Sequence, residues 1–248
     1  MDVQAFYDTF DESARLGRQD NRHLIELYRK RFLYSSLIDK YKPKKIVQIA
    51  CGTGVHTHWL CENYQDVKIY ASDVLAKHVE QLKDFPNLDK RLWNCVTIVP
   101  EEYYDTDIVL VEGAWYHLNW TERTMLLKNL QAINPKVVVI DWPSAWHDTT
   151  QRLMQDKIMP VNYRDPRPNE PFVFDTADDL HKLKAFGTVE LFPVDMDLRF
   201  GYTYLNQVYK DEFLKYIEEM NKVITFYDSN QTFIMNATEH GCYILTVR

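Results

Sequence analysis

The sequence predicts an α/β fold with a mostly parallel, seven-stranded sheet flanked by helices. Short apolar segments alternate with amphipathic helical segments, at the spacing that parallel strands with helical crossovers require. Residues 108–111 and 137–140 are apolar at every position, as expected of strands buried on both faces. A sheet of this kind binds its ligands at the carboxyl ends of its strands.

The elements follow in a regular order. A helical pattern fills roughly residues 2–40, and its apolar positions recur at three- and four-residue steps: Leu24, Leu27, Tyr28, Phe32 and Leu33. The predicted strands are 46–49, 67–72, 91–99, 107–113, 136–141, 188–194 and 242–248. The predicted helices are 55–64, 74–82, 121–133, 174–186 and 211–226. Residues 142–170 hold four prolines and are predicted to form an irregular cover with short inserted helices.

Composition narrows the class of protein. The net charge of −7, without a long basic run, argues against a general binder of nucleic acid. No apolar run approaches the roughly 20 residues of a membrane span, and the acidic amino terminus lacks a secretory pattern. The four cysteines show no close pairing motif, which indicates free thiols in a reducing cytoplasm. Nothing in the sequence specifies an oligomeric state.

The segment Lys45-Ile-Val-Gln-Ile-Ala-Cys-Gly-Thr-Gly54 is the most informative stretch. A buried strand runs into a turn where Gly52 and Gly54 flank a threonine, and a helix begins near Val55. This arrangement brings backbone N–H groups and a helix N-terminus close to a ligand. An ordinary strand-to-helix turn is the alternative, because two glycines at this spacing are common.

Asp73 follows the second predicted strand, nineteen positions after Gly54. An acid at that place accepts hydrogen bonds from the ribose hydroxyls of a nucleotide-like ligand. A dinucleotide site would have a third glycine in the turn, and this sequence has Thr57 there. An NAD(P)-dependent oxidoreductase is therefore the alternative enzyme class.

The run Ile49-Ala-Cys-Gly-Thr-Gly54 resembles the first motif of class I S-adenosylmethionine-dependent methyltransferases. Glu112-Gly-Ala-Trp-Tyr-His-Leu118 is similar to the strand-four motif of a bacterial subgroup of these enzymes. Residues 7–16 and 237–248 resemble the amino-terminal signature and the last strand of that subgroup. The resemblance implies a Rossmann-like sheet and methyl transfer from S-adenosylmethionine to an unidentified small-molecule acceptor. A catalytically silent relative is the third alternative.

The resemblance also implies a set of cofactor-binding residues. They are Tyr7, Arg15, Ala50, Cys51, Gly52, Gly54, Asp73, Val74, Asn94, Glu112 and Gly113. In this scheme the two glycines of the turn admit the methionine part, Asp73 takes the ribose, and Val74 and Asn94 lie near the adenine. Glu112 and Gly113 pass beneath the sulfonium, and residues 7–15 form a lid. Gln48 departs from the pattern, because many class I enzymes have an acid there.

Tyr116 and His117 are the candidate catalytic residues, because they lie just past the fourth strand where an acceptor could approach. The ordinary pKa of histidine lies near neutrality, so His117 could serve as a base. The alternative is that both residues only pack against the following helix. The sequence lacks an Asn-Pro-Pro-Tyr-like run at this point, which favours a small-molecule acceptor.

The sequence predicts a single methyltransferase domain over residues 1–248 without a metal site. Its predicted parts are a helical lid (1–41), a cofactor-binding core (42–141), a cover (142–175) and a carboxyl-terminal part of the sheet with a helical insertion (176–248). Cys51, His56, His58 and Cys61 offer metal-binding side chains. Only His58 and Cys61 share a helix face, however, so a metal site is not expected there.

Overall fold

A computed structural model describes residues 21–143, 177–195 and 240–247. The helices are α1 (Asn21–Tyr41), α2 (Val55–Asn63), α3 (Ala76–Gln81), α4 (Trp120–Ile133) and α5 (Ala177–Leu183). The strands are β1 (Lys45–Ile49), β2 (Lys68–Asp73), β3 (Leu88–Leu92), β4 (Ile108–Val111), β5 (Val137–Pro143), β6 (Gly187–Asp195) and β7 (His240–Val247). Short 3-10 turns occupy Glu101–Tyr103 and Trp115–His117. The predicted helix 211–226 and most of the predicted cover lie outside the described residues.

The strands form one seven-stranded sheet in the order β3-β2-β1-β4-β5-β7-β6. The first five strands pair in parallel, whereas β7 is antiparallel to both β5 and β6. The predicted mostly parallel, seven-stranded sheet is therefore confirmed. The chain runs outward from β1 to β3 and then returns to β4 on the other side of β1. A ligand crevice is expected at the carboxyl ends of β1 and β4, where the strand order reverses.

Each face of the sheet is covered by helices. On one face α1 and α2 bury leucines such as Leu33 and Leu60 against Leu110 and other residues of β1, β2, β4 and β5. On the other face α4 buries Leu126 and Leu130 against the alternate residues of the same central strands. Both faces of the central strands are thus dry, which explains their continuous apolar runs.

The helix α4 is fixed at both ends by local sequence. Asn119 caps it: its Oδ1 accepts hydrogen bonds from the backbone N–H groups of Thr121 and Glu122 at 3.0 and 3.1 Å. The Glu122 carboxylate accepts in return from the backbone N–H of Asn119 at 2.9 Å, which completes a capping box. The helix ends at Asn134, which adopts a left-handed conformation with φ of 55°. The predicted helix 121–133 is confirmed.

The predicted third strand, residues 91–99, was placed too late. The strand spans Leu88–Leu92 and pairs with β2 from Ile69 to Asp73. It lies at the sheet edge, so most of its side chains are exposed and it needs no apolar run. The apolar residues that suggested a strand instead fill the loop after it, where Trp93 is buried against Tyr103 with ring centroids 5.2 Å apart.

The inward face of α1 also differs from the prediction. Tyr28 and Phe32 are 66% and 68% exposed, whereas Leu33, Leu37 and Ile38 are buried against the sheet. Leu33 belongs to the predicted apolar positions and is buried, whereas Tyr28 and Phe32, one turn apart, lie on the opposite, exposed side of the helix. The stripe that faces the sheet includes two polar side chains, and these lie beside the candidate site.

Candidate functional site

Three acids end three strands at the carboxyl edge of the sheet, on the face that α1 covers. They are Asp73 after β2, Glu112 after β4 and Asp141 in β5, and we call them the acidic row. In each strand the alternate residues before the acid are apolar and packed under α1 and α2. The residues directly before the acids are in register across the sheet. Ile49 of β1 pairs with Ser72 on one side and with Val111 on the other, and Val111 pairs with Ile140. Glu112 and Asp141 therefore follow neighbouring strands, and the glycine turn after β1 lies between Asp73 and Glu112.

The glycine turn begins within this row. Ala50, Gly52 and Gly54 have φ values of 58°, 52° and 80°, so the turn alternates through the left-handed region. A Cβ on Gly54 would lie only 2.4 Å from Cδ2 of Leu82, so this glycine is required by packing. A Cβ on Gly52 would have nothing within 4 Å. Of the two glycines, Gly52 is the one whose backbone borders open space.

Asp73 fastens the turn to β2. Its Oδ2 accepts a hydrogen bond from the backbone N–H of Gly52 at 2.9 Å, and its Oδ1 accepts one from Leu75 at the same distance. Nδ1 of His78 lies 3.2 Å from Oδ2. Each carboxylate oxygen can accept a second hydrogen bond. Asp73 can therefore hold the turn and still accept ribose hydroxyls.

Gln48 takes the position where an acid was expected, and it is completely buried. Its Oε1 accepts a hydrogen bond from the Thr57 hydroxyl at 2.6 Å, which ties α2 to β1. Its Nε2 has no hydrogen-bond partner within the described part of the chain. Gln48 thus holds α2 against β1 as a neutral group. Its Nε2 also places two N–H donors without described acceptors near the end of β1.

The three acids differ in how their charge is balanced. Asp141 is paired with Lys30 of α1, whose Nζ lies 2.7 Å from Oδ2, and both side chains are buried. Asp73 is held by two backbone N–H groups and lies beside His78. Glu112 forms no ion pair with any described residue, and its buried Oε1 has no hydrogen-bond partner among them. The acidic row therefore has its unbalanced charge at Glu112.

Tyr34 of α1 lies one turn after Lys30 and is 1% exposed. Its hydroxyl faces the Glu112 carboxylate, and no described residue donates a hydrogen bond to the hydroxyl oxygen. Burial, followed by the charges of Glu112, Cys242 and Asp141, holds the pKa of Tyr34 well above its usual value. The phenol is therefore close to the carboxyl ends of β4 and β5 and remains protonated.

The remaining predicted cofactor residues are distributed around this row. Val74 directly follows Asp73 and is 45% exposed, so it offers an apolar surface beside the turn. Cys51 is buried, and burial together with Asp73 and Glu112 raises the pKa of its thiol, so the thiol remains protonated and the role of Cys51 in cofactor binding stays a prediction. Asn94 lies beyond the end of β3 and caps a turn by accepting from the backbone N–H of Val96 at 3.2 Å.

The candidate catalytic residues follow Gly113 in the 3-10 turn after β4. Tyr116 is buried and His117 is half-buried, with ring centroids 4.5 Å apart. The Tyr116 hydroxyl would lie 3.3 Å from a Cβ on Gly113, so Tyr116 packs directly over that glycine. The structure thus brings Tyr116 next to the end of β4, and the catalytic role of both residues stays a prediction.

A buried arginine supports this turn from below. Arg123 of α4 is fully buried, and its guanidinium carbon lies 4.5 Å from the ring centroid of Trp115 and 5.5 Å from that of Trp120. Its Nε donates a hydrogen bond to the Trp115 carbonyl at 3.1 Å. The arginine therefore fixes the backbone that presents Tyr116 and His117.

Some predicted site residues cannot be placed. Tyr7 and Arg15 lie outside the described residues, so their role as lid residues stays a prediction. Within residues 21–143, 177–195 and 240–247, no three histidine, cysteine or acidic side chains are grouped so as to hold a metal ion. No helix in that same part of the chain is long and apolar enough to cross a membrane.

Sequence reasoning missed Lys30, Tyr34, Thr57 and His78. A signal for two of them was present, because a lysine and a tyrosine four residues apart stand on a stripe that otherwise holds leucine and isoleucine. A lysine on an apolar stripe indicates a buried partner. The sequence gives no signal for the identity of that partner, Asp141, which lies 111 positions later.

No protein-family model and no curated protein matches this sequence. Solved structures do match its fold. The plantazolicin methyltransferase BpumL, in complex with a triazolic desmethylPZN analogue and SAH, superposes with a TM-score of 0.62 over 99% of this chain and 95% of its own, at 10% identity. The fold is that of the class I methyltransferases.

Two further methyltransferases superpose similarly. A SAM-dependent methyltransferase from Archaeoglobus fulgidus has a TM-score of 0.54 at 15% identity, covering 97% of this chain and 99% of its own. The methyltransferase domain of bacterial CtHen1 has a TM-score of 0.56 at 13% identity, covering 89% of this chain and 98% of its own. The methyltransferase fold is thus shared across almost the whole of each chain, while the sequences have diverged widely.

Proposed function

We propose that this chain transfers a methyl group from S-adenosylmethionine to a small-molecule acceptor. The observation that supports it best is the carboxyl edge of β1, β2 and β4. There an open backbone at Gly52, tied down by Asp73, lies beside the unbalanced carboxylate of Glu112. The methyl donor has ribose hydroxyls for Asp73 and a cationic methionine part for Glu112. The SAH bound to the structural neighbour BpumL supports the same ligand class.

The topology favours this proposal over a dinucleotide-dependent oxidoreductase. Dinucleotide-binding sheets of the doubly wound type have six parallel strands in the order 3-2-1-4-5-6. In this chain the antiparallel β7 is inserted between β5 and β6. The turn also has Thr57 where the third glycine of a dinucleotide site would stand. Both features argue against a dinucleotide site in this sheet.

The bound cofactor would supply an electrophilic methyl group on a sulfonium, and the chain's task is then alignment. Glu112 and Gly52 are suited to hold the methionine part, and Asp73 the ribose. Val74 offers an apolar surface for the adenine, because it is exposed immediately after Asp73. His117 would accept a proton from the acceptor, and Tyr116 would help to position it. The rigid turn over Arg123 keeps both residues in place.

We infer a small-molecule acceptor and a cytoplasmic setting for three reasons. The net charge of −7 is poorly suited to an RNA backbone, although the CtHen1 neighbour is a Hen1-type protein. BpumL was crystallised with an analogue of a small natural product. All four cysteines are free and buried, as is usual in a reducing compartment.

Calorimetric titration tests the cofactor. We expect SAH to bind and to stabilise the protein, and NAD⁺ at the same concentration to do neither. Glu112→Gln should weaken SAH binding about tenfold, and Glu62→Gln, at an exposed position of α2, should leave it unchanged. Stabilisation by NAD⁺ and not by SAH would overturn the proposal in favour of the oxidoreductase.

Methyl incorporation tests the acceptor. The protein is incubated with S-adenosylmethionine labelled in its methyl group and with cell extract separated into small-molecule, RNA and protein fractions. We expect label in the small-molecule fraction. Label in RNA would contradict the proposed acceptor class. SAH binding without label in any fraction would identify a catalytically silent relative.

A further inference from the structure

We propose that the hydroxyl of Tyr34, on α1, binds the ammonium group of the methyl donor together with Glu112. This inference rests on the proposed function and extends the cofactor site to a helix that the sequence did not assign to it. It makes α1 a wall of the cofactor pocket and Tyr34 a residue that recognises the amino acid part of the ligand.

The first argument is that the Tyr34 hydroxyl is enclosed beside the Glu112 carboxylate. The residue is 1% exposed, and its hydroxyl faces Glu112, the acid that forms no ion pair with a described residue. The hydroxyl oxygen itself accepts no hydrogen bond from the described residues. Buried polar groups normally have their hydrogen-bonding capacity filled, so a phenol and a carboxylate that share one enclosed place indicate a cationic donor supplied by a ligand.

The second argument is the position of the ring. It packs edge-on against His56 in the first turn of α2, with centroids 5.4 Å apart. One turn earlier on the same helix face, Lys30 contacts Asp141 at the end of β5. The phenol is also close enough to Glu112 and Asp141 for their charges to raise its pKa. Tyr34 thus lies between the start of α2 and the acidic row.

The third argument decides which part of the ligand fits. The methyl donor has two cationic groups, a sulfonium without N–H bonds and a primary ammonium with three. Glu112 Oε1 and the Tyr34 hydroxyl oxygen are two neighbouring buried acceptors, and no described N–H group donates a hydrogen bond to either. Of the two cationic groups, only the ammonium can donate hydrogen bonds to both, and its charge balances Glu112.

The test uses Tyr34→Phe and two ligands in calorimetric titrations of the full chain. One ligand is SAH, and the other is its analogue in which hydrogen replaces the amino group. We expect Tyr34→Phe to weaken SAH binding about tenfold or more, the usual effect of losing a hydrogen bond to a charged group. The variant should bind the deaminated analogue as the unaltered protein does.

Tyr64→Phe is the matched control. Its hydroxyl donates to Ser35, the residue after Tyr34, at 2.8 Å, so the variant also loses a tyrosine hydroxyl that contacts α1. It should bind both ligands unchanged. Thermal unfolding without ligand adds a second readout: Tyr34→Phe should still unfold cooperatively at a temperature close to that of the unaltered protein, because the buried ring is kept and only the interaction of its hydroxyl with Glu112 is lost.

The outcomes separate this inference from the function on which it rests. If the unaltered protein binds SAH and Tyr34→Phe binds it equally well, the inference is wrong and the methyltransferase proposal stands. An equal loss for both ligands would show that Tyr34 only shapes the pocket, which also overturns the inference. If the unaltered protein binds neither ligand at millimolar concentration, the proposed function fails, and the inference fails with it.

Discussion

Lys30 and Asp141 form an ion pair that joins the first helix to the fifth strand. Nζ of Lys30 lies 2.7 Å from Oδ2 of Asp141, the residues are 111 positions apart, and both side chains are 7% exposed. The pair lies one helical turn from Tyr34 and next to Glu112 in the acidic row. It therefore fixes how α1 docks at the carboxyl edge of the sheet and neutralises one of the acids there.

Lys30→Met should lower the free energy of unfolding by about 3–5 kcal/mol, because it removes the cation that balances the buried Asp141 carboxylate. Adding Asp141→Asn should recover part of that loss. Lys42→Met is the control, since Lys42 pairs with Asp39 at 3.3 Å but both side chains are 76% exposed. It should change stability by less than about 1 kcal/mol. Urea denaturation measures all three, and equal effects of Lys30→Met and Lys42→Met would contradict the prediction.

The two glycines of the turn should respond differently to alanine. Both alanines would adopt a left-handed backbone at a cost of roughly 1–2 kcal/mol. Gly54→Ala should cost about 1–3 kcal/mol more, because its Cβ would meet Leu82 at 2.4 Å. Gly52→Ala should be more stable than Gly54→Ala, because its Cβ meets no other atom within 4 Å. It should bind SAH less well than the unaltered protein, because the added Cβ occupies space that the ligand is expected to fill. Denaturation and titration of both variants check this, and the reverse order of stability would refute it.

Gln48→Glu should destabilise the protein at pH 7 by roughly 2–4 kcal/mol, because it places a carboxylate in a completely buried position. Burial raises the pKa of such a carboxyl above its ordinary value of about 4.3, so the loss should grow as pH rises above that value. Gln48→Met is the neutral comparison and loses only the hydrogen bond from Thr57. Denaturation at pH 4 and pH 7 is decisive: a pH-independent loss for Gln48→Glu would argue against the charge effect.

His58 should make stability depend on pH near neutrality. Burial, followed by the charge of Lys83, lowers the pKa of His58 below its ordinary value of 6.5. His58 is therefore protonated less readily in the folded state than in the unfolded chain. Its contribution to the free energy of unfolding is fully present above pH 6.5 and is lost as the pH falls from there through the pKa of the folded state. In His58→Gln the free energy of unfolding, measured by denaturation, should decline less between pH 8 and pH 5 than in the unaltered protein. His181→Gln, at an exposed position of α5, should leave the decline unchanged.

The central strands could be predicted because their surroundings are uniform. β1, β4 and β5 are buried on both faces, so β4 is apolar throughout, β5 begins with four apolar residues, and Gln48 is the one polar residue between the apolar positions of β1. β3 could not be placed correctly for the opposite reason. It is an exposed edge strand held by backbone hydrogen bonds to β2, and the apolar residues after it pack as a loop. Hydrophobic pattern therefore locates buried strands and misplaces exposed ones.

The candidate site divides in a similar way. The glycine turn, Asp73 and Glu112 were found from their places at the ends of strands, because strand ends are local features of the sequence. Tyr34 and Lys30 were not found, because their importance depends on which face of α1 meets the sheet. Tyr28 and Phe32 are apolar but exposed, so apolar character in this part of α1 does not identify the buried side. Only docking against the sheet distinguishes them.

The sequence by itself determined the order of the elements, the glycine turn and the acids Asp73 and Glu112 at the ends of β2 and β4. It determined these because apolar periodicity and backbone conformation act over a few residues. The tertiary structure decided which acid keeps an unbalanced charge: Lys30 pairs with Asp141, backbone N–H groups hold Asp73, and Glu112 forms no ion pair with a described residue. Charge balance depends on distances between side chains that are far apart in the chain, and only the packed helix and the strand register set those distances.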